Sequence, residues 1–315
     1  RCPLHLDIPV RSPKPGVERF CNVIFSLRED ERWAGRGWVV ARNQVSLNDG
    51  SAFVPCISHG KDDAVVIREN ADDIRVVAGK TEVVFSRRTG AICELVMGGK
   101  TILMDPAADV NAGPAFGYLR AFTDNDAWLR DGNPWTKVAK GSLYSAGLSQ
   151  PRHHLRSLKV DAGRIRAVVE VTGGKSAGFT HKALYSFDND GAVVIENVVT
   201  PHGTMPPALP RIGLSLQLDA ALTNVTYYGR GPGENYVDRC DGSFFGIWNS
   251  TVDEMGEEYV RPQDNGYRAD VRWVRLTDES GQGVEFAASV PLFVQALHCG
   301  WEDLEFARHR NGMTR

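Results

Sequence analysis

Apolar and polar residues alternate along most of this chain with a period of two. That spacing puts every second side chain on one face of a β-strand. Residues 20–27 place Cys21, Val23, Phe25 and Leu27 on one face, and 38–47 do the same with Val39, Ala41, Val45 and Leu47. The charged, glycine-bearing stretch between them, 28–37, predicts a hairpin connection. Further strands are expected at 74–78, 81–86, 91–97, 101–103, 155–161, 164–172, 181–187, 192–199, 211–218, 224–229, 269–277, 284–288 and 293–297. Turn residues punctuate them, among them Gly79-Lys80, Gly98-Gly99 and Asp188-Asn189-Asp190-Gly191. Short strands at roughly ten-residue spacing predict an all-β, antiparallel sandwich. No long 3.6-residue periodicity is present, and only 136–148 has room for a short helix. Residues 48–63 read as loop, and a domain boundary near residue 70 divides the chain into 1–70 and 71–315.

Composition narrows the function classes. The formal net charge is −3, with Lys and Arg scattered, so nucleic acid or an anionic membrane has no electrostatic footprint to bind. No apolar run approaches the roughly 20 residues that span a bilayer. Cys2, Cys21, Cys56, Cys93, Cys240 and Cys299 contain no CxxC pair, which disfavours zinc and redox sites and leaves buried free thiols as the reading. The compartment stays open. The first residues, Arg1-Cys2-Pro3-Leu4-His5, have neither an initiator Met nor a signal-peptide core, which suggests a piece of something longer.

The densest cluster of special residues runs from Tyr227 to Arg239. Gly229, Gly231, Pro232 and Gly233 demand a sharp turn or a close approach of backbone. No helix pattern follows, so a phosphate cradle is not expected. Glu234 and Asp238 suggest a pair of catalytic carboxylates, which a retaining glycosidase holds about 5–5.5 Å apart. Four residues of extended chain span roughly 13 Å, too far for that pair. With Arg230 and Arg239 beside them, the two acids read as ion-paired structural residues.

A second candidate is Asp124-Asn125-Asp126, three short oxygen-bearing side chains suited to a turn, a cation or sugar hydroxyls. The irregular stretch 124–140 also carries Trp128 and Trp135, and long loops on β scaffolds are where function concentrates. An Asx-type turn is the plain alternative. Trp128, Trp135 and Trp301 sit in loop-like contexts and have rings able to cover a sugar's C–H face, whereas Trp248 and Trp273 read as core. None of the eight histidines makes HxH or HxxxH spacing, and His153-His154 point to opposite faces of a strand. No nucleophile elbow, P-loop or dinucleotide fingerprint is present.

Three motifs in order carry a family resemblance. Gly229-Arg230-Gly231-Pro232-Gly233-Glu234-Asn235-Tyr236-Val237-Asp238-Arg239 resembles the signature of the C-terminal domain of the large β-galactosidases of glycoside hydrolase family 2. Arg120-Ala121-Phe122-Thr123-Asp124-Asn125-Asp126 resembles that domain's RAPxDND segment, with Phe122 for Pro. Residues 259–273 resemble its Y..PQENG.R.DVRW segment, with Asp264 for Glu. The opening hairpin resembles residues 85–90, and residues 1 to about 50, with Leu6-Asp7-Ile8-Pro9, Pro15-Gly16 and Asp30–Ala34, resemble the last strands of the preceding immunoglobulin-like domain.

The resemblance implies an antiparallel supersandwich of the galactose-mutarotase type, preceded by part of an Ig-like sandwich. It implies a non-catalytic portion of a β-galactosidase, truncated at its C-terminus and separated from the TIM barrel that carries the family's catalytic glutamates. A barrel needs on the order of 250 residues of alternating strand and helix, and no such stretch is here. Mg2+ and Na+ are implied for the family, bound mainly in other domains. So are a β-galactoside as ligand of the full enzyme, the barrel as intrachain partner, and a homo-oligomer. A rim role at the active-site mouth is implied for Thr123, Asp124, Asn125 and Asp126. Two other classes remain open: a stand-alone carbohydrate-binding module, and an aldose mutarotase, whose general acid and base no motif here supplies.

Overall fold

A computed structural model describes residues 17–47, 65–103, 113–125, 143–174, 177–188 and 190–307. Leu6–Pro9, Pro15-Gly16, the loop at 48–63, Asp126, Trp128 and Trp135 lie outside the described residues.

The first element is an antiparallel hairpin of β1 (Phe20–Ser26) and β2 (Val39–Ser46). At its tip the Arg36 amide donates to Asp30 Oδ1 at 2.8 Å. An isolated two-stranded hairpin is marginal in water. This one is anchored along β15 (Phe244–Thr251), where the Gln44 side chain takes the place of a neighbouring strand. Gln44 Oε1 accepts from the Phe245 amide at 2.7 Å, and Gln44 Nε2 donates to the Phe245 carbonyl at 2.9 Å.

Three larger antiparallel sheets follow. The first orders β3 (Val65–Glu69), β4 (Asp73–Ala78), β5 (Thr81–Ser86), β6 (Ile92–Met97) and β7 (Lys100–Thr101) as a meander. The second holds β9 (Arg152–Asp161), β10 (Arg164–Thr172), β11 (Gly178–Phe187) and β12 (Val193–His202). In the third, β14 (Asn224–Gly231) lies between β15 and β16 (Arg268–Thr277), with β17 (Gly283–Val294) on the outside. A short pair joins β8 (Ala115–Gly117) to β13 (Gly213–Ser215). Three one-turn helices are described: α1 (Leu143–Ala146), α2 (Val252–Met255) and α3 (Trp301–Phe306). Among the described residues no helix is long and apolar enough to cross a membrane.

Period-two patterning builds the core. Along β11, Phe179, His181, Ala183, Tyr185 and Phe187 are buried while Lys182 between them is exposed. Ile74, Val83 and Phe85 from the first sheet meet Ile165 and Tyr185 from the second and Val225, Tyr227 and Val274 from the third in one large cluster. A smaller cluster forms where Phe116, Tyr118 and Phe122 pack on Leu143, Leu148, Val171 and Phe179. It supports the segment that leads into Thr123.

The all-β, antiparallel expectation holds, and 81–86 and 164–172 match β5 and β10 residue for residue. The differences have local causes. Phe244–Thr251 is a strand that the pattern missed, because its apolar residues do not alternate and Gly246 interrupts them. Residues 284–288 and 293–297, expected as two strands, are largely one, β17, because Pro291 is tolerated on an edge strand. Residues 211–218 shorten to β13 plus an isolated bridge from Leu218 to Leu103. Helix α2 rests on a capping box, with the Glu254 amide donating to Thr251 Oγ1 and the Thr251 amide to Glu254 Oε2. Val65–Glu69 pairs with β4, so a hydrogen-bonded ladder spans residue 70.

Candidate functional site

Strand β14 carries the sequence signature into the site. Gly229 and Gly231 are strand residues, and of the two readings the sequence allowed, close approach holds for them rather than a turn. A Cβ on Gly229 would lie 2.8 Å from Val271 Cα, and one on Gly231 would lie 2.3 Å from the Tyr227 hydroxyl oxygen. Glycine is needed there because backbone and side chain approach too closely for anything larger. The chain bends at Pro232 and Gly233, where the strand has ended.

Asn235 pins that turn. It is fully buried, and its Nδ2 donates to the carbonyls of Arg230 and Gly233 at 3.1 and 2.9 Å. Its Oδ1 accepts the Ala269 amide at 2.8 Å, and its own amide donates to the Tyr267 carbonyl. Both ends of the side-chain amide are thereby satisfied, and the turn is bolted to β16.

Glu234 is the buried carboxylate of the segment, 3% exposed at its side chain. Oε1 accepts from Arg239 at 2.5 Å and from the Tyr259 hydroxyl at 2.6 Å. Oε2 accepts the Gly266 amide at 2.6 Å and the Tyr236 hydroxyl at 3.5 Å. Hydrogen bonding to Glu234 raises the Tyr259 pKa, and burial, then Glu234, raises that of Tyr236, so both phenols stay protonated and donate. The expected ion pairing therefore holds for Glu234 and Arg239 only. Arg230 turns instead to Asp270, at 2.6 Å, and to the carbonyls of Cys240 and Ser243. Asp270 reaches it from a bulge in β16, in the left-handed region at φ 53°, which Asp tolerates better than most residues. Asp238 is exposed.

The second candidate segment lies across the Gln263–Arg268 loop. Arg120 NH1 is 3.7 Å from Asp264 Oδ2, and Gln295 Nε2 donates to Asp264 Oδ1 at 2.9 Å. Beyond it the Phe122 amide donates to Glu305 Oε2 at 2.8 Å and the Asp124 amide to Gln263 Oε1 at 3.3 Å. Thr123 is half-buried, and Asp124 and Asn125 are exposed. Arg261 sits 3.5 Å from the Asp124 carboxylate in an open ion pair that contributes little. Asp124 is thus brought to one loop network, while Glu234 and Arg239 meet in another. The Gln263–Gly266 loop touches both.

Gln263, Glu305 and Tyr259 were not singled out from sequence. Gln263 was visible inside the Pro262-Gln263-Asp264-Asn265 motif, but Glu305 lies 183 residues from its partner and carried no signal. Trp248 packs against the main core and Trp301 against the smaller one. His181 is buried against Asn197 Oδ1 at 2.8 Å, and desolvation pushes its pKa down. Among the described residues no three His, Cys, Asp or Glu side chains converge as metal ligands would.

Comparison with known proteins bears on this arrangement. The family model described as beta galactosidase small chain matches residues 77–315. The beta-galactosidase of Vibrio cholerae serotype O1 is 29% identical over 323 residues, covering 98% of this chain and 29% of that protein. That of Priestia megaterium is 29% identical over 285 residues, 89% of this chain and 26% of its own length. That of Lactobacillus delbrueckii subsp. bulgaricus is 28% identical over 294 residues, 93% of this chain and 27% of its own. The chain therefore spans under a third of the length of these relatives.

Proposed function

The chain belongs to the beta-galactosidase small-chain family, and on that footing we propose that it is a C-terminal, non-catalytic portion of a β-galactosidase. In the whole polypeptide two carboxylates elsewhere would hydrolyse terminal β-galactosides with retention. One would attack the anomeric carbon and the other protonate the leaving oxygen, before water releases the sugar. On this reading residues 1–70 carry the end of an Ig-like domain and a linker whose last part, β3, already pairs with β4, residues 71–315 form the rest of the supersandwich, and a TIM barrel and further subunits are its partners. On the same reading the Mg2+ and Na+ implied for the parent family are bound mainly in other domains.

The observation that carries the non-catalytic reading is the state of Glu234. A general acid or nucleophile needs a carboxylate open to substrate. Glu234 is buried and already accepts from Arg239, Tyr259, Tyr236 and Gly266. The contribution to the site is the hydrogen-bonding rim at Thr123, Asp124, Asn125 and Asp126. The test is hydrolysis of a chromogenic β-galactoside. The purified 315-residue chain is expected to give no turnover, and the same chain joined to the preceding part of its polypeptide is expected to give it. Turnover by the chain alone would overturn the proposal.

A further inference from the structure

In an extended segment, alternate backbone amides point to the same side and normally bond to a neighbouring strand. Residues 121–123 belong to no sheet, yet the amides of Phe122 and Asp124 are both satisfied, by the Glu305 and Gln263 side chains. Two side chains from distant parts of the chain replace the missing strand at the entrance to the rim.

Glu305 is the unusual member. It lies one residue from the C-terminal end of α3, where a carboxylate opposes the helix dipole, and that helix has no basic residue in its last turn. Its Oε2 accepts from the Phe122 amide, a charge-assisted bond on a half-buried backbone group. Helix α3 is itself fixed nearby, with Trp301 on the small core and Leu304 buried.

We infer that Glu305 is a positioning residue for sugar binding: through the Phe122 amide it fixes the backbone that presents Thr123, Asp124 and Asn125. This rests on the rim role proposed above. The residue touches no reacting atom, so its removal is expected to weaken substrate binding and leave the chemical step alone.

The experiment uses the full polypeptide, with ortho-nitrophenyl β-galactoside as substrate and hydrogen exchange at the Phe122 amide as an independent readout. Glu305→Ala is expected to speed exchange at Phe122 and raise KM on the order of tenfold, with kcat within about twofold. Glu305→Gln keeps an acceptor oxygen and is expected to restore both. Faster exchange with unchanged KM, unchanged exchange, or a Gln variant as impaired as Ala would each overturn the inference. Absence of turnover by the wild type would overturn the functional reading and this inference with it, whereas wild-type turnover with an unmoved KM in Glu305→Ala removes the inference alone.

Discussion

Glu18 grips Arg272 through both carboxylate oxygens, Nε at 2.9 Å and NH2 at 2.6 Å, although 254 residues separate them. The side chains are 8% and 12% exposed. The Arg272 guanidinium also lies over the Phe245 ring at 4.5 Å, and Phe20 stacks on that ring at 4.9 Å. Hairpin β1–β2 is thus clamped to the third sheet by a charge pair, an aromatic stack and the Gln44 bridge.

Breaking one side of a buried ion pair leaves the other charge stranded. Arg272→Ala is therefore expected to lower stability by about 3 kcal/mol, read from urea unfolding midpoints. The double change Glu18→Leu with Arg272→Met removes both charges and is expected to recover most of the loss. A single variant within about 0.5 kcal/mol of wild type would show that the clamp is not holding the hairpin.

Asn235 makes a sharper case, because its partners are all backbone groups. Asn235→Ala would orphan the Ala269 amide and the carbonyls of Arg230 and Gly233, at a cost of about 3 kcal/mol. Asn235→Asp keeps the shape but turns an acceptor oxygen toward those two carbonyls, and is expected to be the more damaging. Thermal unfolding of the two variants side by side checks the order, and equal losses would contradict it.

Much of this was legible from residue order alone. Strands such as β4 and β11 alternate because one face is buried and the other more open. The signature segment was recognisable, and Glu234 with Arg239 was expected as an ion pair. What escaped has a common cause. Arg230 meets Asp270 and Phe122 meets Glu305 through folding, across 40 and 183 residues, and no local pattern encodes such distances. Likewise the sequence left Gly229 and Gly231 between a turn and a close approach, because it shows which residues permit either and not which lie against a neighbouring strand.

Gly229 gives a direct check of that distinction. A turn glycine with a negative φ tolerates Ala, whereas one facing the backbone of β16 does not. The new Cβ would fall 2.8 Å from Val271 Cα and 3.2 Å from its nitrogen, atoms that cannot move without shifting the strand. Gly229→Ala is expected to cost about 2 kcal/mol. Gly233→Ala, with nothing within 4 Å of the new methyl, is expected to lie within about 0.5 kcal/mol of wild type. Chemical denaturation of both separates close approach from turn formation.

The β16–β17 turn supplies a pH-dependent tie between two sheets. Asp278 Oδ1 accepts from the Ser280 hydroxyl and amide and from the Gln282 amide, while Oδ2 meets Lys100 Nζ of β7 at 2.9 Å. The Ser280 hydroxyl first, and then Lys100, hold the Asp278 carboxyl well below the usual range. Its hydrogen bond with Asp278 in turn raises the Lys100 ammonium. As pH falls through about 4, the unfolded chain takes up the Asp278 proton before the folded one does, so the carboxylate's stabilisation declines there. At the other end, the unfolded chain loses the Lys100 proton first above about pH 10.4, and the stabilisation declines again. The difference in stability between wild type and Asp278→Asn is therefore expected to be flat from about pH 5 to 9 and to shrink below about pH 4 and above about pH 10. Unfolding curves for both proteins across that range measure it. A difference that grows on acidification would mean that Asp278 is not bound as a carboxylate in the folded protein.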